Sequence, residues 1–169
     1  MEVALRRARD ADARAIAAIH NQGIIDRMAT LDTTLRTDDG TREWLAKRGP
    51  RHPVIVAVET ARGVADQQVV GWASLNPYNP RPAYDHAADF SVYVERSARH
   101  QGVGRQLLHH LVATARELGF HKMVLAALAR NEAGIALYER CGFVRVGVYR
   151  EMGQLDGEWV DVLLMEQIF

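Results

Sequence analysis

The residues best placed to do chemistry lie between Arg99 and Arg105, where the sequence reads RHQGVGR. An apolar, β-rich run ending at Val94 precedes them, and a long amphipathic pattern follows from about Gly102. A turn of this kind puts bare backbone N–H groups at the positive end of a helix dipole. Glycine at 102 and 104 lets a bulky anion approach those amides, and Arg99, His100 and Arg105 add side-chain charge. A diphosphate fits such a turn. An equally ordinary reading is a tight bend with basic residues in solvent, because a bare Gly-x-Gly is a weak motif. Two common nucleotide loops are excluded. The Walker pattern needs Gly-Lys-Ser/Thr, whereas Arg105-Gln106 follows Gly104. The dinucleotide fingerprint needs a third glycine where Leu107 stands, and an acid about 20 residues on that FHKMVLAAL lacks.

Other reactive side chains offer less. His109 and His110 leave a helix on different faces, a poor arrangement for metal ligation. Trp44, Trp72 and Trp159 are read as packing residues rather than stacking platforms. Cys141 is the single cysteine, with no partner at ligand spacing, so neither zinc nor an internal disulfide is expected. No metal is expected.

The elements that position the turn follow from pattern. At 169 residues one domain, residues 1–169, is expected, and no repeat or linker divides it. EVALRRA opens as a strand, and Asp10 is the expected N-cap of a helix over ADARAIAAIHNQGII. A short helix falls around TREWLAKR. VIVAVE and VVGWASL are β-branched runs joined by a polar turn, and NPYNPRP is an irregular loop. DFSVYV and KMVLAAL are strands flanking the helix from about Gly102 to Leu118. NEAGIALYERC is a helix closed by Gly142 as its C′ residue, and Asp156-Gly157 joins two last strands as a hairpin. Mixed rather than alternating elements argue for an α/β (mixed α+β) fold with a central mixed sheet flanked by helices. Hydrophobic content is 48%, charged content 25% and formal net charge zero. Nothing here attracts nucleic acid or an acidic membrane, and no apolar run approaches a bilayer span, so a cytoplasmic protein is expected.

Arg99, Gly102 and Gly104 also match the Arg/Gln-x-x-Gly-x-Gly/Ala signature of the GNAT acetyltransferase superfamily. Asn131, Tyr138 and CGF, Cys141 to Phe143, match its second signature at the usual distance. The resemblance runs from LRRARDADA to the C-terminal strand. AYDHAADFSVYV, RHQGVGRQLL and GVYREMGQLDGEWVDV are similar to the phosphinothricin N-acetyltransferase branch and, for the last segment, to its arsinothricin-acetylating relatives. The resemblance implies acetyl transfer from acetyl-CoA to the α-amine of a small amino-acid-like acceptor. It further implies a splayed sheet, in which a gap between DFSVYV and KMVLAAL receives the pantetheine arm.

The same resemblance assigns roles. Val92, Tyr93 and Val94 would pair backbone groups with the pantetheine amides. Arg99, His100, Gln101, Gly102, Val103, Gly104 and Arg105 would surround the diphosphate. Asn131 would touch the pantetheine arm, although helix capping explains an Asn there equally well. Asp89 stands where the branch carries Glu and is the candidate base; one methylene shorter, it favours a water relay. Tyr138 is the candidate proton donor to the coenzyme sulfur, at a position where the branch often has His. Arg81 matches an arginine of the phosphinothricin enzymes. Its planar fork suits an anionic acceptor, with Tyr84 beside it. The family often forms homodimers, and the C-terminal hairpin is the expected contact. Two rivals remain at this level: acetylation of a protein N-terminus or an aminoglycoside, and a non-catalytic acyl-CoA sensor.

Overall fold

The β-branched runs pair into one seven-stranded sheet in the computed structural model, which describes residues 1–60 and 68–169. In chain order the strands are β1 (Val3–Arg7), β2 (Val54–Glu59), β3 (Val69–Pro77), β4 (Ala87–Val94), β5 (Lys122–Leu128), β6 (Val144–Leu155) and β7 (Glu158–Ile168). Their order in the sheet is β1-β2-β3-β4-β5-β7-β6. The helices are α1 (Ala13–Ile25), α2 (Asp38–Ala46), α3 (Val103–Glu117) and α4 (Glu132–Arg140). The polar turn expected between β2 and β3 lies outside the described residues. The strands it joins are antiparallel, as a hairpin requires.

Alternation along the strands decides which helix covers which face. Val54, Val56, Val58 and Trp72 pack with Ile16 and Ile19 of α1. Ile55, Ala57, Ala73 and Leu75 pack on the opposite face with Leu107, Leu108 and Leu111 of α3. Those three leucines are fully buried, so truncating any one to Ala costs about 2–5 kcal/mol. The expected cap at Asp10 falls two residues early. Asp10–Asp12 is a single 3-10 turn and α1 begins at Ala13. Asp12, not Asp10, organises this end, accepting from the Arg9 amide at 2.7 Å and pairing with Arg6 at 2.7 Å. At the other end of the chain, Asp156 and Gly157 both take positive φ, 51° and 85°, the geometry of a tight hairpin.

One departure from regular pairing creates the site. β4 and β5 are parallel, and they pair only at Ala87 with Lys122, Ala88 with Met123 and Asp89 with Val124. Beyond that point β5 continues against β7 through Leu128, while β4 continues against β3 through Val94. The two strands part company at Asp89. A wedge opens in the middle of the sheet, and among the described residues no strand pairs with the edge of β4 from Phe90 to Val94 on that side.

Candidate active site

The wedge leads into a cavity of about 640 Å³ bounded by β4, the C-terminal end of α1, the first turn of α3 and α4. Val92, Tyr93, Val94, Arg99, His100, Gly102, Gly104, Arg105 and Asn131 all line it. Gln101 and Val103 do not. Gln101 folds its amide back onto the Ser97 carbonyl at 2.6 Å, and Val103 is 1% exposed beneath α3. Gly102 is the N-cap of α3 at φ +83°, a conformation open to glycine at no steric cost. The first bond of the helix runs from the Gln106 amide to the Gly102 carbonyl at 3.1 Å. The amides of Val103, Gly104 and Arg105 therefore lack intrahelical acceptors. Gly104 serves packing: a Cβ there would lie 3.2 Å from Leu137 and 3.5 Å from Val94.

Arg99 is not free to swing. Its Nη1 lies 2.8 Å from Asp26 Oδ2 and its Nε donates to the Val94 carbonyl at 3.2 Å. Asp26 also takes Arg96 at 2.6 Å, and bonds from Arg96 and then Arg99 hold its carboxyl below the usual range. Asp26 lines the cavity and is missing from the sequence reading, because its partners lie some 70 residues away. Met28 and Ala29 just beyond it, and Leu137 and Arg140 on α4, complete the wall. Asn131 Oδ1 accepts from the Gly134 amide at 3.0 Å, so it caps α4 while facing the cavity.

A second hollow of about 240 Å³ occupies the apex of the wedge and shares Ala29, Val92 and Tyr93 with the first. Asp89 and Tyr138 both face it, with Ser91, Thr30, Leu31 and the run Leu125–Leu128. Asp89 is partly buried, and burial pushes its carboxyl up to about 6. One hydrogen bond, from the Phe90 amide at 2.5 Å, works against that rise without cancelling it. Burial pushes the Tyr138 phenol up to about 12, with Tyr93 and Asp89 acting in the same direction. Tyr138 therefore keeps its proton throughout the neutral range. Its ring stands edge-on to Phe90 at 5.8 Å and to Phe143 at 6.4 Å. Tyr93 points to the other face of the sheet, 4.8 Å from both Trp72 and His20.

Arg81 and Tyr84 lie elsewhere. Both are exposed, Arg81 as the N-cap and Tyr84 as the last residue of the 3-10 turn that Pro82 opens, and neither lines either hollow. Tyr84 packs edge-on against Tyr78 at 5.5 Å. Among the described residues, no three His, Cys, Asp or Glu side chains are placed to hold a metal ion.

A bare helix mouth, a strand edge freed by the wedge, and an acid and a phenol at its apex are groups that could hold a long phosphorylated carrier bearing a reactive end. The model of the "Acetyltransferase (GNAT) family" matches residues 24–143, and the chain belongs to that family. It is an N-acetyltransferase of the acetyl-CoA-dependent kind. It is 32% identical to the L-methionine sulfoximine/L-methionine sulfone acetyltransferase of Pseudomonas aeruginosa, over 98% of this chain and 94% of that one. A crystal structure of ribosomal-protein-alanine N-acetyltransferase from Brucella melitensis superposes with a TM-score of 0.91 at 36% identity, covering 98% of this chain and 99% of that one. A GNAT phosphinothricin acetyltransferase from Sinorhizobium meliloti, solved with acetyl-CoA, superposes at 0.91 with 28% identity, covering 100% and 89%.

Proposed function

We propose that this chain, acting as a single catalytic unit over residues 1–169, moves the acetyl group of acetyl-CoA onto the α-amine of a small amino-acid-like acceptor. The acceptor is of the phosphinothricin, methionine sulfoximine or arsinothricin type, and it attacks directly while both substrates are bound. The observation that carries this is the shared hollow. Asp89 and Tyr138 face one small space at the inner end of a cavity whose outer end is the bare mouth of α3.

In this reading the amides of Val103 to Arg105, with Arg99 and Arg105, hold the diphosphate. His100 and Gln101 shape the turn, and the free edge of β4 at Val92, Tyr93 and Val94 pairs with the pantetheine amides. An α-amine is mostly protonated at neutral pH and must lose a proton before it attacks. Asp89, raised to about 6, takes that proton through a water molecule and is still mainly ionised at pH 7. A β4 amide receives the charge that develops on the acetyl oxygen. As the new N–C bond forms and the C–S bond breaks, Tyr138 gives its proton to the departing thiolate, and the proton that the nitrogen sheds as the amide forms restores the phenol. Arg81 and Tyr84, exposed and outside both hollows, are given no contact with the acceptor in this reading.

The relative from Brucella favours a second reading, in which the acceptor is the N-terminal amine of a protein. Mass-spectrometric product mapping separates the two. Acetylated methionine sulfoximine or phosphinothricin supports the first; acetylation confined to peptide N-termini overturns it. The reading also includes a cytoplasmic homodimer. β6 is an edge strand with Val144, Val146 and Val148 about half exposed or more, and Trp159 of β7 is 62% exposed. A long apolar edge needs cover in solution. Sedimentation of Val146→Lys should give a monomer where the parent gives a dimer.

A further inference from the structure

His20 is a buried polar group that the proposed chemistry does not use. It lies on α1 at 0% exposure, and neither ring nitrogen makes a hydrogen bond of full geometry, Nε2 having only a short contact with one carboxylate. Phenylalanine would fill such a space without leaving polar atoms unpaired, so the ring's polar edge calls for a reason. Its Nε2 lies 3.2 Å from Asp32 Oδ2, and that carboxylate is 56% exposed on the segment between α1 and α2. The ring also stands 4.8 Å from Tyr93 and 6.1 Å from Trp72.

The segment concerned, residues 26–37, supplies one wall of the candidate site. Ala29, Thr30 and Leu31 line the hollow that contains Asp89. Its ends are tied at the surface. Arg27 forks onto Asp156 at 2.9 and 3.0 Å, and Asn21 exchanges two bonds with the Arg36 backbone at 2.8 and 2.9 Å. Its middle rests on two touching rings: Thr30 interacts with Tyr93, and Asp32 faces His20. Burial, then Arg36, keep His20 neutral at physiological pH, against a weaker pull from Asp32. The ring can therefore present one N–H to a carboxylate without carrying a buried charge.

We propose that His20 is a positioning residue for the acceptor: by presenting its Nε2 edge to Asp32 it seats residues 26–37, and with them Ala29, Thr30 and Leu31, against the hollow in front of Asp89. This rests on the acetyl-transfer reading, and the experiment keeps the two apart. His20→Phe keeps the ring packing and removes the polar edge, while Asp32→Ala removes the other end from an exposed position. Each should raise KM for the acceptor by about tenfold, the scale of a lost polar contact to a carboxylate, and leave KM for acetyl-CoA within about twofold. The double variant should be no worse than the worse single one. Equal rises in both KM values, an unchanged acceptor KM in a folded variant, or additive effects would each overturn the proposal.

Hydrogen exchange decides the seating without activity. Amides of residues 28–36 should exchange at least about tenfold faster in either variant, with those of β3 unchanged. Unchanged exchange in that segment overturns the proposal. If the parent protein releases no thiol with any amine, the acetyl-transfer reading fails on its own, and the exchange result still decides the seat. Should His20→Phe fail to fold, Asp32→Ala gives the same readouts.

Discussion

Replacing Asp89 by Asn separates what its burial does for stability from what it does for chemistry. In the open chain this carboxyl titrates at 3.8, and in the fold burial lifts it to about 6. The folded state therefore holds the proton more tightly than the unfolded state. Below about pH 4 both states are protonated, and the side chain resembles Asn. As pH rises through 6 the folded protein must carry a partly buried charge, and stability is lost. The gap between the two values corresponds to about 3 kcal/mol as an upper figure. Partial access to solvent lowers this to about 2 kcal/mol. For a chain of this length about 2 kcal/mol is worth roughly 4–8 °C in Tm. Asp89→Asn should thus melt about 4–8 °C higher than the parent at pH 8 and within about a degree of it at pH 4. His20 titrates in both proteins and cancels from the difference. The same variant should lose at least about a hundredfold in turnover, as expected for a missing general base, with the Kd for acetyl-CoA within about twofold. The assays are calorimetric melting at several pH values and thiol release. A melting difference independent of pH would refute the burial argument, and near-parental turnover would refute the base.

Three further outcomes follow from the same geometry. For the parent enzyme, the acidic limb of kcat/KM against pH should fall near 6 rather than near 4, because activity grows as Asp89 ionises; a limb near 4 contradicts the assignment. Tyr138→Phe should lower kcat by about tenfold to a hundredfold with little change in acetyl-CoA affinity, since only the proton donor is lost; an unaffected kcat, with a thiol release step shown to be rate-limiting, counts against it. Gly102→Val should weaken acetyl-CoA binding at least about tenfold while the protein stays folded. The residue sits at φ +83° with open space around it, so the substitution strains the turn rather than the core; an unchanged dissociation constant argues against the turn as the diphosphate seat.

What the sequence made legible was mostly local. The α3 turn depends on residues within a few positions of one another, and Gly102 stands at the mouth of the helix. The Asn131 cap and the Asp156-Gly157 turn are local in the same sense. Contacts across long stretches of chain were not legible. Nothing beside Asp26 announces that it will hold Arg96 and Arg99, and nothing beside Thr30 and Leu31 announces that they will wall the hollow. Asp10 lost its expected capping role because Arg6, brought alongside by tertiary packing, organises Asp12 instead. The gap between β4 and β5 came from family resemblance rather than from pattern. Both read simply as strands, and their divergence after Asp89 depends on the outer partners each one keeps. Arg81 and Tyr84 likewise rested on resemblance, and the loop carrying them stands apart from both hollows.

The central claim is that the mouth of α3 and the wedge beside it together hold acetyl-CoA. Isothermal titration of the folded protein with acetyl-CoA tests it most directly. Saturable one-to-one binding with Kd of about 100 μM or tighter, within the ordinary enzyme range and lost on Gly102→Val, is the predicted result. Absence of any saturable heat at millimolar acetyl-CoA would contradict it.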